Sequence, residues 1–554
     1  MNPLKRYALL LVPSLLFTAA YSTEARASGF YATERGVRPL GRGGAFVAGA
    51  DDLGAIAYNP AGIFGAGSQF FIDGSLLIFG SEYTRQALLR QVDPNTGETV
   101  ATYEQTFPTV EGSGALLPIP TLAGSFAPHP DWRVALGVFA PNAILPTYPE
   151  EVEGGPAPQR YQLITLDGSV LAVLGLYAAW RPIEQLQIGL GFELLLGSFT
   201  SRQVLSGCLP ERFFCSPEDP EWDLQAEISA APIVAPSGNL GLIWEFYKGW
   251  RVGASFHLPF YINAPATLHS RLPTAAPYRN AEQEGEDASL SFQLPWEIRL
   301  GVEMRDLVEG LRIEIAADYE HWAMHDKISV EPDDIAVTNL PGFPQKYYLP
   351  EIDIPRNLQS TIGAMIGAEY EIKVNDTIRV TPRLGFSYET SAVPSEYMSV
   401  LLLDAGKATP SVGLSLGIGS ARFDLVYAHQ FTPSVEVDPA KAQLAQVVPV
   451  AANTPENPDF VNGGIYSWHV DVIGLGFAYT FEPAAPYTSS SDPPKEQPKT
   501  EAPAEEPPKT EAPAAEPPKE EPPKTEPPKE EPKKEQPKKE QPKKTPPPKT
   551  APKK

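Results

Sequence analysis

Only two of the 554 residues are cysteine. So few thiols exclude a disulfide-dense scaffold and a thiolate zinc site of the usual kind. Basic residues are also short: 44 Lys and Arg stand against 68 Asp and Glu, for a formal net charge of -24. That balance argues against nucleic acid as a partner. Long apolar runs are missing beyond the first twenty residues. The longest later one, 170–180, is interrupted by Gly175 and falls short of the ~20 residues a spanning helix needs. Proline is not scarce. At 61 residues it is about twice as frequent as the usual ~5%, which argues against a mainly helical chain.

The two ends read as segments outside the fold. Lys5 and Arg6 precede an apolar stretch at 7–20, and Ala25-Arg26-Ala27 fits a small-x-small cleavage site. Residues 1–27 are therefore expected to be a signal peptide, with the mature chain starting at Ser28. At the other end, 491–554 holds 20 prolines, 15 lysines and 14 acids, with no aromatic and no branched aliphatic residue. Such a segment has nothing to bury, so 484–554 is expected to be a disordered Pro/Lys/Glu-rich tail in the periplasm. Its charges nearly cancel, so the acidity belongs to the body. A highly acidic mouth should repel anionic ligands, which favours a neutral or protonated one.

The body, 68–483, alternates with period two. In 289–304, Leu290, Phe292, Leu294, Trp296, Ile298, Leu300, Val302 and Met304 share one parity; Ser289, Gln293, Glu297, Arg299 and Glu303 share the other. Strands send alternate side chains to opposite faces. The split recurs at 186–196, 251–260, 311–319, 358–372 and 378–388. Runs this long, in an exported chain without a spanning helix, predict a closed membrane barrel with its apolar parity toward lipid. Aromatic residues near strand ends (Trp132, Trp180, Trp250, Trp322, Tyr388, Trp468, Phe481) fit interfacial girdles. The coarse count is fourteen strands, joined alternately by short turns and long loops. The expected fold is all-β: a 14-stranded antiparallel transmembrane β-barrel. The inward parity carries Glu297, Arg299, Arg312, Glu314, Asp318, Arg379, Arg383 and Asp424, expected to form an ion-pair lattice.

Residues 28–67 do not alternate. Small residues and glycines dominate, as a compact plug in the lumen requires. Gly41-Arg42-Gly43-Gly44-Ala45, Ala50-Asp51-Asp52 and Tyr58-Asn59-Pro60-Ala61-Gly62 lie in this order. Gln293-Leu294-Pro295-Trp296, Asp318-Tyr319-Glu320-His321-Trp322 and Arg383-Leu384-Gly385-Phe386-Ser387-Tyr388 come after them. The order and spacing resemble the FadL-type outer-membrane transporters of long-chain fatty acids and other hydrophobic compounds. The resemblance covers nearly the whole body and stops at the tail. It implies a fourteen-stranded barrel with an N-terminal hatch at 28–67, in the outer membrane of a Gram-negative-type bacterium. It implies a non-enzyme with no cofactor and no metal. It implies that a hydrophobic small molecule, a fatty acid or hydrocarbon, is captured at the outer loops and released sideways into outer-membrane lipid through a gap at the kinked third strand. Matched residue by residue, Phe30 would lie near the ligand, and Asn59, Pro60 and Ala61 near the lateral gate. Gly137 and Pro141 of the third strand are the kink candidates, since both weaken ladder pairing.

Other motifs carry less. Gly413-Leu414-Ser415-Leu416-Gly417 fits the G-x-S-x-G pattern of hydrolases, but a continuous strand offers no nucleophile elbow. His321 and His325 have a helical metal-binding spacing but fall on a strand pattern. Cys208 and Cys215 share one outer loop in an oxidising compartment and are expected to form a disulfide. The alternative to transport is a structural outer-membrane anchor whose long tail contacts the cell wall.

Overall fold

The computed structural model describes residues 35–93, 99–114, 118–140, 145–209, 218–451 and 459–483. The expected signal segment, Phe30, Pro141, Cys215 and the tail at 484–554 lie outside them.

The described residues close into a barrel of fourteen antiparallel strands. These are β1 (Ser68–Val92), β2 (Thr99–Gly114 and Pro118–His129), β3 (Trp132–Phe139), β4 (Val170–Ile183), β5 (Leu186–Ser206), β6 (Asp223–Tyr247) and β7 (Trp250–His257 and Phe260–Arg271). They continue as β8 (Asp287–Leu294 and Glu297–Arg305), β9 (Leu311–Glu320 and Lys327–Pro332), β10 (Ile352–Pro355 and Thr361–Tyr370), β11 (Ile378–Glu389), β12 (Lys407–Ile418), β13 (Ala421–Gln430) and β14 (Gly464–Glu482). The ring closes where β14 pairs with β1, from Tyr479 opposite Phe70 to Gly464 opposite Arg85. Tight turns gather at one end: His129 pairs with Trp132, Ile183 with Leu186, Tyr247 with Trp250 and Ile418 with Ala421. Gly249 sits in one of these turns at φ 78°, a conformation that a side chain disfavours. Long connections gather at the other end. No helix among the described residues is long and apolar enough to cross a membrane.

The sequence alternation places Leu290 to Met304 on one lipid-facing side. The structure divides them. Ile298, Leu300 and Val302 point outward and are exposed on the protein surface, whereas Leu290, Phe292 and Leu294 are buried inside. The faces exchange at Pro295-Trp296, where β8 is interrupted. The adjacent β7 exchanges at Leu258-Pro259. Below that point Arg251 and Gly253 face in; above it Phe260, Ile262, Ala264, Ala266 and Leu268 face in. In β6 the exchange falls at a register shift between Ala230 and Ile233. Ala226 and Ile228 face in above it; Ile243 faces in below, with Leu240, Leu242 and Trp244 outward. A one-residue slip moves every following side chain to the opposite face, and proline favours such interruptions because it cannot donate to the ladder.

The cause is a change of surroundings. Toward the turn end, the outward positions are apolar, as lipid requires. Toward the loop end, the outward positions of β6 to β9 include Gln225, Glu227, Asn263, Thr267, Asp287, Ser291 and Glu331, as water requires. The loop-end half of this sheet is polar outside and apolar inside. The girdle expectation changes with it. Trp132 and Trp180 are exposed and stack with centroids 5.7 Å apart, as interfacial residues do. Trp322 and Trp468 instead are buried, because both lie on the inward side near the long loops.

The lipid boundary set by this exchange is testable by labelling single cysteines on intact cells with a membrane-impermeant maleimide. Tyr261→Cys, above the slip, should react. Leu300→Cys, equally free of protein cover, should stay unlabelled until detergent removes the lipid.

Candidate functional site

The inward side of the turn-end half is charged, and the segment 35–67 lies against it. A side chain at Gly137 of β3 would collide with Ile56, at Gly189 of β5 with Pro60-Ala61, at Gly253 of β7 with Val47, at Gly367 of β10 with Arg42, at Gly385 of β11 with Gly43 and at Gly474 of β14 with Val37. A segment that meets inward glycines on strands all round a closed ring occupies its interior. Glycine at these positions admits its close approach.

Three arginines tie the segment down. Arg38 pairs with Asp51 at 2.5 Å, Asp52 at 2.9 Å and Glu369 at 2.8 Å. Arg42 is fully buried and contacts Glu314 at 2.9 Å, Glu303 at 3.3 Å and Glu369 at 3.4 Å. Arg312 of β9 returns the contact, reaching Asp51 at 2.8 Å and Glu303 at 2.7 Å. Glu314 also accepts the backbone N–H groups of Val47, Ala48 and Gly49 at 2.8, 2.7 and 3.0 Å. Burial alone would raise the pKa of Asp51. The facing guanidiniums of Arg312, Arg38 and Arg305 outweigh burial and hold it well below the usual carboxylate range. Burial alone would lower the pKa of Arg38; Asp51, Glu369 and Asp52 hold it above its ordinary value instead. A depressed carboxylate stabilises the folded form fully above its unfolded pKa of roughly 4, and the contribution fades as pH falls through the lower folded value.

Of the lattice expected from sequence, Arg312, Glu314, Arg383 and Asp424 meet in this network, with Arg383 contacting Glu369 at 2.9 Å and Asp424 at 3.3 Å. Arg299 joins the segment instead, donating to Ala57 O at 2.8 Å. Arg379 lies at the turn-end rim, exposed, with Gly419 O at 3.5 Å. Glu303 and Glu369, strand carboxylates each shared by several arginines, fall outside the expected lattice. The signal that marks them is their inward parity, shared with Arg299 and Arg383 on the same and the neighbouring strand. Ser415 is buried and hydrogen-bonded to Arg383 and Asp424, not to a histidine.

The Asn59-Pro60-Ala61 turn is held on several sides. Asn59 Nδ2 donates to Val47 O at 2.9 Å and to Leu242 O of β6 at 3.1 Å, while Oδ1 accepts Ala61 N–H at 3.1 Å. The turn therefore faces β5 and β6. It is Ile56, three residues earlier, that meets Gly137 of the third strand. Cys208 is buried and disulfide-bonded. His321 and His325 use their Nδ1 atoms on different partners, Ser360 Oγ at 2.9 Å and Gln293 O at 2.5 Å.

Above the network the interior changes character. Ile228, Ile262, Leu268, Leu290, Phe292 and Val330 line it, and loop residues Met398, Val400 and Leu402 pack into the same cluster. At the junction lies a cavity of about 30 Å³. Leu195, Phe260 and Leu294 face it from the apolar half; Glu193, His257, Glu297 and Glu320 line its polar side. Phe139 and Val173, the last pair of β3 and β4 among the described residues, also touch it.

Removing a shared cation strands buried carboxylates, which typically costs ~3–5 kcal/mol. Arg42→Ala should therefore loosen the segment. Limited proteolysis should cut it within 35–67 faster than in the wild type, and cells should admit small hydrophilic dyes that the wild type excludes. Between pH 7 and about 4 the same cleavage in the wild type should stay constant; below about 4 it should rise, because the released segment then takes up the proton that the paired Asp51 refuses.

No protein with a curated description matches this chain by sequence. The fold is similar to that of a Pseudomonas aeruginosa FadL homologue (TM-score 0.59, 13% identity, covering 82% of this chain and 100% of that one). It is also similar to the Pseudomonas putida toluene transporter TodX (TM-score 0.53, 16% identity, 82% and 99%). Residues 18–465 match the family model described as outer membrane protein transport protein, OMPP1/FadL/TodX. With the closed barrel, its filled interior and a family match over most of its length, the chain belongs to the OMPP1/FadL/TodX family of outer membrane transport proteins.

Proposed function

We propose that this barrel carries hydrophobic compounds, long-chain fatty acids or hydrocarbons, passively from the outer loops to the bilayer, with lateral rather than axial release. One observation carries the reading: the interior is apolar toward the loops and charged and filled toward the turns. An apolar solute is at home in the first half. It gains nothing in the second, where an axial path crosses the Arg38–Arg42–Arg312 network and its carboxylates. Opening that network costs several kcal/mol, whereas lipid beside the barrel offers ~0.8 kcal/mol for each CH₂ removed from water. Release sideways is the less costly course.

The junction cavity supports an exit at the third strand. Phe139 and Val173 form the last described pair between β3 and β4, while β4 extends on to Val170 past the described end of the β3 ladder. Gly137 and Ile56 bring the buried N-terminal segment to the same strand, so that segment serves as the hatch that closes the route below.

Deleting the gene should lower uptake of labelled toluene, hexadecane or oleate while leaving a small hydrophilic sugar unaffected. Equal uptake of all the hydrophobes with and without the gene counts against transport. The route has its own test. A Phe139→Cys/Val173→Cys pair should slow hydrophobe uptake when oxidised and recover on reduction. Unchanged uptake in the cross-linked form would exclude release between β3 and β4.

A further inference from the structure

The junction cavity has a chemistry of its own. Glu193 is fully buried and both its oxygens are occupied. Oε2 lies 2.6 Å from His257 Nε2. Oε1 accepts from Tyr177 OH at 2.9 Å and Asn239 Nδ2 at 3.0 Å. An ionised carboxylate only accepts, so the His257 proton in this contact sits on Nε2. In the neutral ring, Nδ1 is then an acceptor. His257 keeps a quarter of its side chain accessible, at 25%, and lines the cavity. The two other carboxyl groups on the wall have partners of their own. Glu320 already takes Trp322 Nε1–H at 2.5 Å, and Glu297 is paired with Arg299. The wall's cationic residue is Arg35, which is engaged within the protein, its guanidinium 5.5 Å from the Phe139 ring centroid.

We propose, building on the transport reading, that this cavity receives the polar end of the transported molecule and selects a neutral hydrogen-bond donor, such as an alcohol or phenol hydroxyl, over a carboxylate. Size agrees with charge. A space of about 30 Å³ suits a hydroxyl and little more. The apolar remainder would extend past Leu195, Phe260 and Leu294 into the loop-end lining. A carboxylate placed here would add a negative charge beside Glu193 and Glu297 while losing its water. An alkane would leave the wall's acceptors unanswered.

The test uses purified full-length protein in a neutral detergent at pH 8, incubated with an equimolar mixture of 1-dodecanol, dodecanoate and dodecane. Retained molecules are measured by mass spectrometry. Dodecanol should be retained at least about ten-fold over dodecanoate, the ratio a single well-made or missing polar contact gives. His257→Phe should bring dodecanol down to the level of dodecane while dodecane is still held. Glu297→Gln, which replaces a charged wall group with a neutral amide, should raise dodecanoate relative to dodecanol and serves where the histidine variant does not assemble. Dodecanoate held as well as dodecanol by the wild type, especially with loss on Arg35→Gln, overturns the selectivity and leaves transport standing. Retention of none of the three overturns the transport reading as well.

Discussion

Whatever lies outside a strand decides which of its faces must be apolar. This barrel meets two exteriors, and its organisation comes from that. Where lipid surrounds it, apolar side chains point out and the interior is left to Arg42, Glu303, Glu314 and Glu369. Where water surrounds it, polar side chains point out and the interior becomes Ile228, Ile262, Leu290 and their neighbours. A continuous strand cannot satisfy both with one alternation phase when its sequence keeps the apolar parity. The slips at Ala230/Ile233, Leu258-Pro259 and Pro295-Trp296 reconcile them.

The charged half would be costly by itself. Carboxylates with little or no exposure survive there because each is shared among guanidiniums or, for Glu314, also held by three backbone N–H groups. The N-terminal segment supplies Arg38, Arg42 and Asp51 to this arrangement, so strands and segment depend on one another. The proposed function uses the same division. The apolar half suits a greasy solute, the charged half refuses one, and the cavity with His257 lies where they meet.

Much of this is legible in the chain. The fourteen strands appear in the expected order because period-two alternation over ten or more residues has few other physical causes. Ser415 faces inward, away from lipid, as the parity of Leu414 and Leu416 requires, and is buried. The departures have a common origin. Alternation alone puts Leu290 and Phe292 on the lipid side, because parity fixes which residues share a face and not which medium that face meets. Glu193 and His257 escape a sequence reading for a related reason. They lie 64 positions apart, and only the barrel's curvature brings them within 2.6 Å.

By itself, then, the sequence determined the strands, the short turns and the glycine-rich, small-residue character of 28–67, all of which come from contacts between residues near one another in the chain. Tertiary structure alone decided where the faces exchange, which carboxylates share Arg42, and that Asn59-Pro60-Ala61 rests on β5 and β6 while Ile56 reaches β3. Those depend on ring closure and on where lipid gives way to water. Neither is written in any local pattern.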